Sequence, residues 1–492
     1  MESTEPIDDL TSVPWISNLT AERLSASGDT TGIPYYHYRW KKKWLADYVA
    51  WPSSSEDVAS ILKYASKHHV PVVPRGGGTC YYGSASPTRG GIILDTKVMD
   101  GIIEVNKNEE WVKVGSGAVW EILDNELRKQ GFTLPVAPQS AVASTLAGWL
   151  SIGGKAGIGT PKYGSMLKNI LEMEVVKPDG TIATVTGDDM EAFYGTAGIA
   201  GVVTSMKLRT IPIPEAIEGL MFSFKTLEKA IDAVTRLSKT KNQPIYLRLT
   251  DLEYEWRIQG GLPTDSRGLF FVLVTYSGKV DEVEESVKTA RGIFETAGAR
   301  EMDKSYYQKN WEDRFIVEMK LKLEVPTLSM QNFWIDLSQV EQVVRKMYRI
   351  AHGYRINSCF YLVLGGSGMA RFCVFAPSDH RHWMHFMSGK AMLHRLVKMM
   401  YRHGGKLYTY GLQNTVYLKK YQPLDYKRFK ELRKNWDPKG IMNPDKLTHC
   451  NMSYTRLNLM FTMNGYFRRL QVVLRRGKNI LQIPVSYQEG KI

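Results

Sequence analysis

The 492-residue chain lacks any apolar run approaching the roughly 18 to 20 residues that a membrane-spanning helix needs, so no helical span is expected. Cysteine is scarce. Cys80, Cys359, Cys373 and Cys450 stand far apart and none forms a C-x-x-C pair, which excludes a zinc knuckle or a ferredoxin cluster motif and argues against a disulfide framework. Acidic residues are the minority: 50 Asp and Glu against 64 Lys and Arg leave a net charge of +14. Such a balance invites nucleic acid as a partner. Yet no nucleic-acid module is written here and the basic residues are spread rather than blocked, so a solvated basic surface is expected instead. Internal repeats and low-complexity segments are absent. Met1–Leu10 carries Glu2, Glu5, Asp8 and Asp9 in place of a basic-then-apolar leader, which makes the cytoplasm the expected address.

What is present reads as an α+β protein of several domains, long enough for a cleft between them. Residues 1–45 form an entry arm ending in the basic run Arg39–Lys43. Ser53, Ser54 and Ser55 offer helix caps before Val58, Ile61, Leu62 and Ala65, and an extended segment follows at Val70–Pro74. Further strands are expected at Gly91–Leu94, Trp111–Val114, Leu171–Val176 and Val202–Leu208, with a second amphipathic helix through Val119, Ile122, Leu123 and Leu127. Beyond Pro214 glycine thins out and the elements lengthen. Helices are expected over Val283–Ala297, Val340–Ile350 and His380–Met400, and again before Asp437-Pro438. Gly365-Gly366-Ser367-Gly368 follows a strand as a dinucleotide fingerprint would. Because Arg371–Phe375 reads as another strand, the glycines are expected to be a hairpin turn.

Three glycine-rich segments carry the chemistry. In Val72–Gly83, V-V-P-R-G-G-G-T-C-Y-Y-G, three glycines after a strand let successive N–H groups converge on a diphosphate, and Arg75 adds charge. Ser144–Gly159, S-T-L-A-G-W-L-S-I-G-G-K-A-G-I-G, and Tyr194–Thr204, Y-G-T-A-G-I-A-G-V-V-T, let backbone approach an extended ligand closely.

In this order, with Gly90–Asp95, Val175–Gly180 and the closing Trp436–Lys446, W-D-P-K-G-I-M-N-P-D-K, the segments resemble the vanillyl-alcohol oxidase/PCMH superfamily. The resemblance implies FAD as cofactor and a PCMH-type FAD-binding domain over 46–214. It further implies a cap domain over 215–404 and a segment, 405–449, returning to the FAD domain. It places Arg75, Gly76, Gly77, Gly78 and Thr79 at the pyrophosphate, Ser144, Thr145, Gly148 and Ser151 along the cofactor wall, and Gly201 and Val203 near the adenosine. Cys80, Gly83, Pro138 and Trp149 join that cofactor-binding set. Where relatives carry an acidic residue in the third loop, this chain has Ala197.

The middle of the chain is most similar to the glycolate and D-lactate dehydrogenase branch, with some likeness to alkyl-glycerone-phosphate synthase through Ser144–Trp149. The hydroxy-acid branch implies Arg314, in Trp311-Glu312-Asp313-Arg314, as a carboxylate anchor. It implies Tyr410, where relatives have histidine before a glycine, as the group that handles the substrate proton. That branch's metal ligands are missing here, and His380, His382 and His385 are expected to be exposed rather than to hold a metal. The expected function is FAD-linked oxidation of a small hydroxylated substrate, a 2-hydroxy acid being one option. Electrons would pass to oxygen, a quinone or a redox protein, since no nicotinamide fingerprint is present. A flavin-dependent transferase and a flavin subunit of a larger redox complex stay open as alternatives. Residues 450–492 carry seven basic residues against Glu489, and such a tail would suit a peripheral membrane or redox-partner contact.

Overall fold

The computed structural model describes residues 13, 15–31, 44–261, 269–325, 327–450 and 453–463. The basic run Arg39–Lys43 and most of the basic tail lie outside them, so the docking expected of the tail concerns residues not described. Among the described residues no helix is long and apolar enough to cross a membrane.

The first half folds around two small sheets. In one, Tyr48–Ala50, Ile92–Asp95 and Val72–Arg75 run parallel, with Ile16–Ser17 antiparallel at the edge. Helix Ser55–His68 supplies the crossover that parallel strands require. It starts where the serines predict. Ser54 accepts from the Asp57 N–H while Asp57 accepts from the Ser54 N–H, and the helix ends at His69 in a left-handed conformation. Val58, Ile61, Leu62 and Ala65 face Val72, Ile92 and Leu94, forming a core that reaches Val176 and Val202 of the second sheet. That second sheet is antiparallel, in the order Ile102–Asn106, Trp111–Gly115, Val202–Arg209, Ile170–Val176, Ile182–Val185.

The second half is one eight-stranded sheet, every neighbouring pair antiparallel. Its central strands alternate strictly. Leu247, Leu249, Phe360, Leu362, Phe372 and Val374 pack under the helices Leu227–Leu237, Val280–Thr296, Leu337–Tyr354 and Trp383–Arg402. Tyr246, Tyr361, Cys373 and Phe375 point to the other face and meet Tyr82 and Ile158 of the first half. Both faces are thus buried, each fully buried Leu or Phe contributing about 1.5–3 kcal/mol. The expected hairpin joins Cys359–Gly366 to Met369–Ser378, with Ser367 and Gly368 both at positive φ (53° and 73°), as a two-residue turn matching the strand twist demands.

One boundary is corrected. Lys406–Leu407, expected to belong to the returning segment, is the edge strand of the cap sheet beside Thr327–Asp336. The return comes later, where Met442 pairs in parallel with Val72. There the Val72 N–H donates to the Ile441 carbonyl at 2.9 Å and the Asn443 N–H donates to the Val72 carbonyl at 2.7 Å.

Candidate functional site

Strand Val72–Arg75 runs directly into the glycine triplet, which is pressed onto the second small-residue loop. A Cβ on Gly76 would lie 2.1 Å from Thr145 Oγ1, and one on Gly77 would lie 1.9 Å from the Ala143 carbonyl oxygen. Only glycine permits that approach. Thr79 Oγ1 lies 3.0 Å from Ser144 Oγ, which lies 2.6 Å from Ser140 Oγ. Thr145 caps helix Leu146–Ser151 by accepting the Gly148 N–H at 3.2 Å. None of the turn and loop hydrogen bonds among the described residues uses the N–H of Gly77, Gly78 or Thr79 as donor.

These loops and the third one enclose a cleft of about 850 Å³, counted to its open mouth. Arg75, Gly76, Gly77, Gly78, Thr79 and Cys80 line one side; Ser144, Thr145, Gly148, Trp149 and Ser151 line another; Gly201 and Val203 close the third. Two members of the expected set fall outside it. Gly83 faces a second cavity, and Pro138 is buried and lines neither. The cleft also takes in Phe193, Ala197, Gly198 and Thr96, which the sequence reading did not assign to the cofactor.

Ala197 keeps the third loop's shape without a carboxylate. It sits at φ 51°, its N–H donates to the Ser151 carbonyl at 2.9 Å, and its carbonyl accepts the Asn443 side-chain amide at 2.6 Å. Arg75 is already engaged, donating from Nη1 to the Gly28 carbonyl with Nε 3.6 Å from Asp95. Its charge is therefore shared with a buried carboxylate. An extended anionic ligand fits this arrangement through unengaged N–H groups, clustered hydroxyls and a partly offset cation.

The two residues expected to be catalytic are not brought together. Arg314, in the turn Asp313–Phe315, donates to the Trp311 carbonyl at 2.7 Å and lies 4.5 Å and 4.4 Å from the ring centroids of Trp311 and Phe315. Burial, then the nearby Arg128, holds its pKa below the usual arginine range. Tyr410 packs edge-on against Phe429, and its hydroxyl accepts from Gln422 at 2.7 Å and donates to Asp425 at 3.3 Å. Burial and then the Asp425 charge push its pKa up, opposite to what a phenolate base needs. Neither residue lines the cleft. The Tyr410 hydroxyl is thus committed to Gln422 and Asp425, and we propose a packing role for it in place of proton transfer. Tyr410→Phe is accordingly expected to leave the rate of flavin reduction within a few-fold of wild type in stopped flow.

The histidines expected to be exposed are placed individually. The His380 ring contacts Thr327 Oγ1, His385 Nδ1 accepts the Asp379 N–H at 3.2 Å, and His382 is exposed. His380 and His385 are thus partly sheltered.

A polar cluster that the sequence reading missed occupies the cap-sheet face next to the loop after Thr79. Arg371, on strand Met369–Ser378, donates to Gln139 Oε1 at 3.0 Å and to Glu318 Oε1 at 3.1 Å, and its guanidinium lies 5.5 Å and 5.3 Å from the Tyr361 and Tyr408 ring centroids. The Tyr361 hydroxyl donates to the same Glu318 oxygen, and Gln139 donates to the Tyr246 hydroxyl at 2.9 Å. Tyr408 is fixed by accepting the N–H groups of Lys155 (3.0 Å) and Ala156 (2.8 Å). Burial opposes the charge on Arg371, but Tyr361 and Glu318 overcome it and hold the pKa well above the usual value. Its Nε is buried without a hydrogen-bond partner, and so is the Tyr82 hydroxyl, on which the Arg371 charge acts. Unsatisfied buried donors cost about 1–3 kcal/mol each, so an acceptor arriving at them would be favoured.

Residues 46–186 match the FAD binding domain family, and residues 213–447 match the C-terminal domain of FAD linked oxidases. Glycolate oxidase subunit GlcD of Bacillus subtilis is 25% identical over 450 residues, covering 87% of this chain and 92% of that protein. D-lactate dehydrogenase of Archaeoglobus fulgidus is 26% identical, covering 81% and 90%. Alkyldihydroxyacetonephosphate synthase of Trypanosoma brucei brucei is 26% identical, covering 82% and 73%. Among solved structures, p-cresol methylhydroxylase with substrate bound shares the fold at a TM-score of 0.76 and 16% identity, covering 89% of this chain and 94% of that one.

Proposed function

We propose, for a chain that belongs to the FAD-linked oxidases of the vanillyl-alcohol oxidase/PCMH type, that it oxidises the CH–OH group of a small hydroxylated carboxylic acid. FAD is the cofactor, and when bound it supplies the hydride acceptor. The loops around Gly76–Thr79, Ser144–Ser151 and Gly201–Val203 hold it. The observation that carries the substrate reading is Arg371: a buried guanidinium with a free Nε, on the sheet face that meets Tyr82. Its planar donors suit a carboxylate. Glu318, oriented by Tyr361 and Arg371, takes the hydroxyl proton. Arg371 thereby replaces Arg314 as the proposed anchor. The relatives named for glycolate and D-lactate support a hydroxy acid. The electron acceptor is oxygen, a quinone or a redox protein.

Anaerobic mixing with glycolate, D-lactate and longer 2-hydroxy acids is expected to bleach the flavin band, and matched alcohols without a carboxylate are expected to fail. Equal bleaching by acids and alcohols would remove the carboxylate from the reading. The flavin is expected to be held without a covalent bond. Position 79 is threonine, and burial, then the charge of Asp29, pushes the Cys80 thiol up to about 12, leaving it without nucleophilic thiolate at neutral pH. Acid precipitation should therefore leave a colourless pellet and a yellow supernatant.

A further inference from the structure

The cap helices and the first half enclose a second cavity, about 1610 Å³ to its mouth, larger than the cofactor cleft. Its lining is mostly apolar. It runs from Met330 and Leu412 past Phe386, Val397 and Phe461 to Trp383 and Met460, which are 42% and 39% exposed and mark the way out. Among the described residues one lysine lines this space. Lys390, on helix Trp383–Arg402, is half-buried. Its Nζ donates to Gln413 Oε1 at 3.2 Å, and no carboxylate of the described residues pairs with it.

The aspartate and the histidine along the wall are already committed. Asp445 is paired with Arg89 at 2.6 Å, and His394 is bonded to Tyr417 (2.9 Å) and Asn458 (3.2 Å). Burial alone presses the Lys390 pKa down to about 8, which records how poorly the charge is compensated. Its Nζ has only the Gln413 oxygen and the Phe386 ring, 5.4 Å to the centroid, so an arriving anion would be favoured, and the apolar walls favour a hydrocarbon.

We propose that this cavity binds a single-chain amphiphile with an anionic head, its chain among Met330, Phe386, Val397 and Phe461 and its head on the Lys390 ammonium. The site is distinct from the cofactor cleft but shares a wall with it. Gly83 faces the amphiphile cavity while Cys80 and Ser84 face the cleft, and the Gln413 N–H donates to the Tyr82 carbonyl at 3.1 Å. The proposal does not depend on the hydroxy-acid reading.

The full-length flavoprotein is titrated with cis-parinaric acid, a fluorescent unbranched carboxylate, and the probe is then displaced by dodecanoate, dodecyl phosphate or dodecanol. The expected result is saturable binding, with both anions displacing the probe at least about tenfold better than the alcohol. Whichever anion displaces better identifies a carboxylate or a phosphate head. Lys390→Met removes a half-buried charge that has no acidic partner among the described residues, so its fold should be kept. It is expected to weaken both anions by about tenfold or more while leaving the alcohol unchanged. Val397→Trp, which fills the cavity, is expected to abolish probe binding with flavin content retained; if that variant folds poorly, Lys390→Met decides alone. Absence of probe binding by the wild type, or equal anion affinity in wild type and Lys390→Met, would overturn the proposal.

Discussion

Arg371→Met should lower kcat/KM for a hydroxy-acid substrate by about a hundredfold to a thousandfold, the scale of losing one partner of a buried, hydrogen-bonded charge pair. Three contacts go at once: the bonds to Gln139 and Glu318, and the Nε donor assigned to the substrate. Glu318 would then be buried without its cation, which could itself unsettle the cap. Pairing the change with Glu318→Gln removes that stranded charge but also the proposed base, so the readouts for that pair are folding and flavin content, not turnover. Arg371→Lys restores charge but not the planar fork, because one ammonium cannot span Gln139, Glu318 and a substrate carboxylate together. It should recover only part of the loss, chiefly in KM. Flavin content should match wild type in all three variants, since Arg371 does not line the cofactor cleft. Turnover of Arg371→Met within about threefold of wild type, with flavin bound, would dismiss the residue as an anchor.

Gly77→Ala should produce protein almost free of flavin. The added Cβ would lie 1.9 Å from the Ala143 carbonyl oxygen, a backbone atom that cannot rotate away, so the first loop must lift off the second. Overpacking of this kind costs about 1–3 kcal/mol even where side chains can adjust, and more where backbone must move. The Thr79–Ser144 contact at 3.0 Å, which joins the same two loops, should open with it. The measurement is the flavin-to-protein absorbance ratio, with the melting temperature of the apoprotein alongside. A near-stoichiometric flavin ratio in Gly77→Ala would show that the two loops need not touch. Gly101→Ala serves as the control: it is also a loop glycine, but open space surrounds its Cβ position and its φ is not positive.

Gly77 and Arg371 differ in how visible they are in the amino-acid sequence. Gly77 stands in a contiguous run that alone would more often be a plain turn, and it gains its meaning from the two small-residue segments that follow it in order. The Arg371 cluster instead joins Gln139 of a loop in the first half, Glu318 of a short helix and Arg371 of a cap strand, and only the tertiary packing brings them together. A signal is nevertheless there. Arg371 interrupts an otherwise apolar alternating strand, as Arg248 does in Tyr246–Asp251, and a lone cation between core positions must have a partner. Tyr410 shows the opposite failure. Its alignment beside Gly411 is legible, but the direction of its ring is set by Gln422 and Asp425 on the following turn and helix, which no motif encodes. The helix Ser55–His68 is legible nearly to its ends because its cap and apolar period are local, whereas Leu337–Tyr354 extends beyond the expected Val340–Ile350 at both ends.

The pairing of Met442 with Val72 means that the chain's two distant parts must meet before the cofactor domain is finished. Asn443 ties this segment to both sides of the cleft region, donating its side-chain amide to the Ser84 carbonyl at 2.9 Å and the Ala197 carbonyl at 2.6 Å. On a translating ribosome the strand Val72–Arg75 emerges early and waits, with one edge unpaired, until Met442 and Asn443 have been made. A nascent chain released before Asn443 would carry all three glycine-rich loops and still lack the clasp that joins them. Flavin capture is thereby tied to the synthesis of Asn443, and an exposed strand edge persists for the whole interval, a period in which chaperone protection matters most.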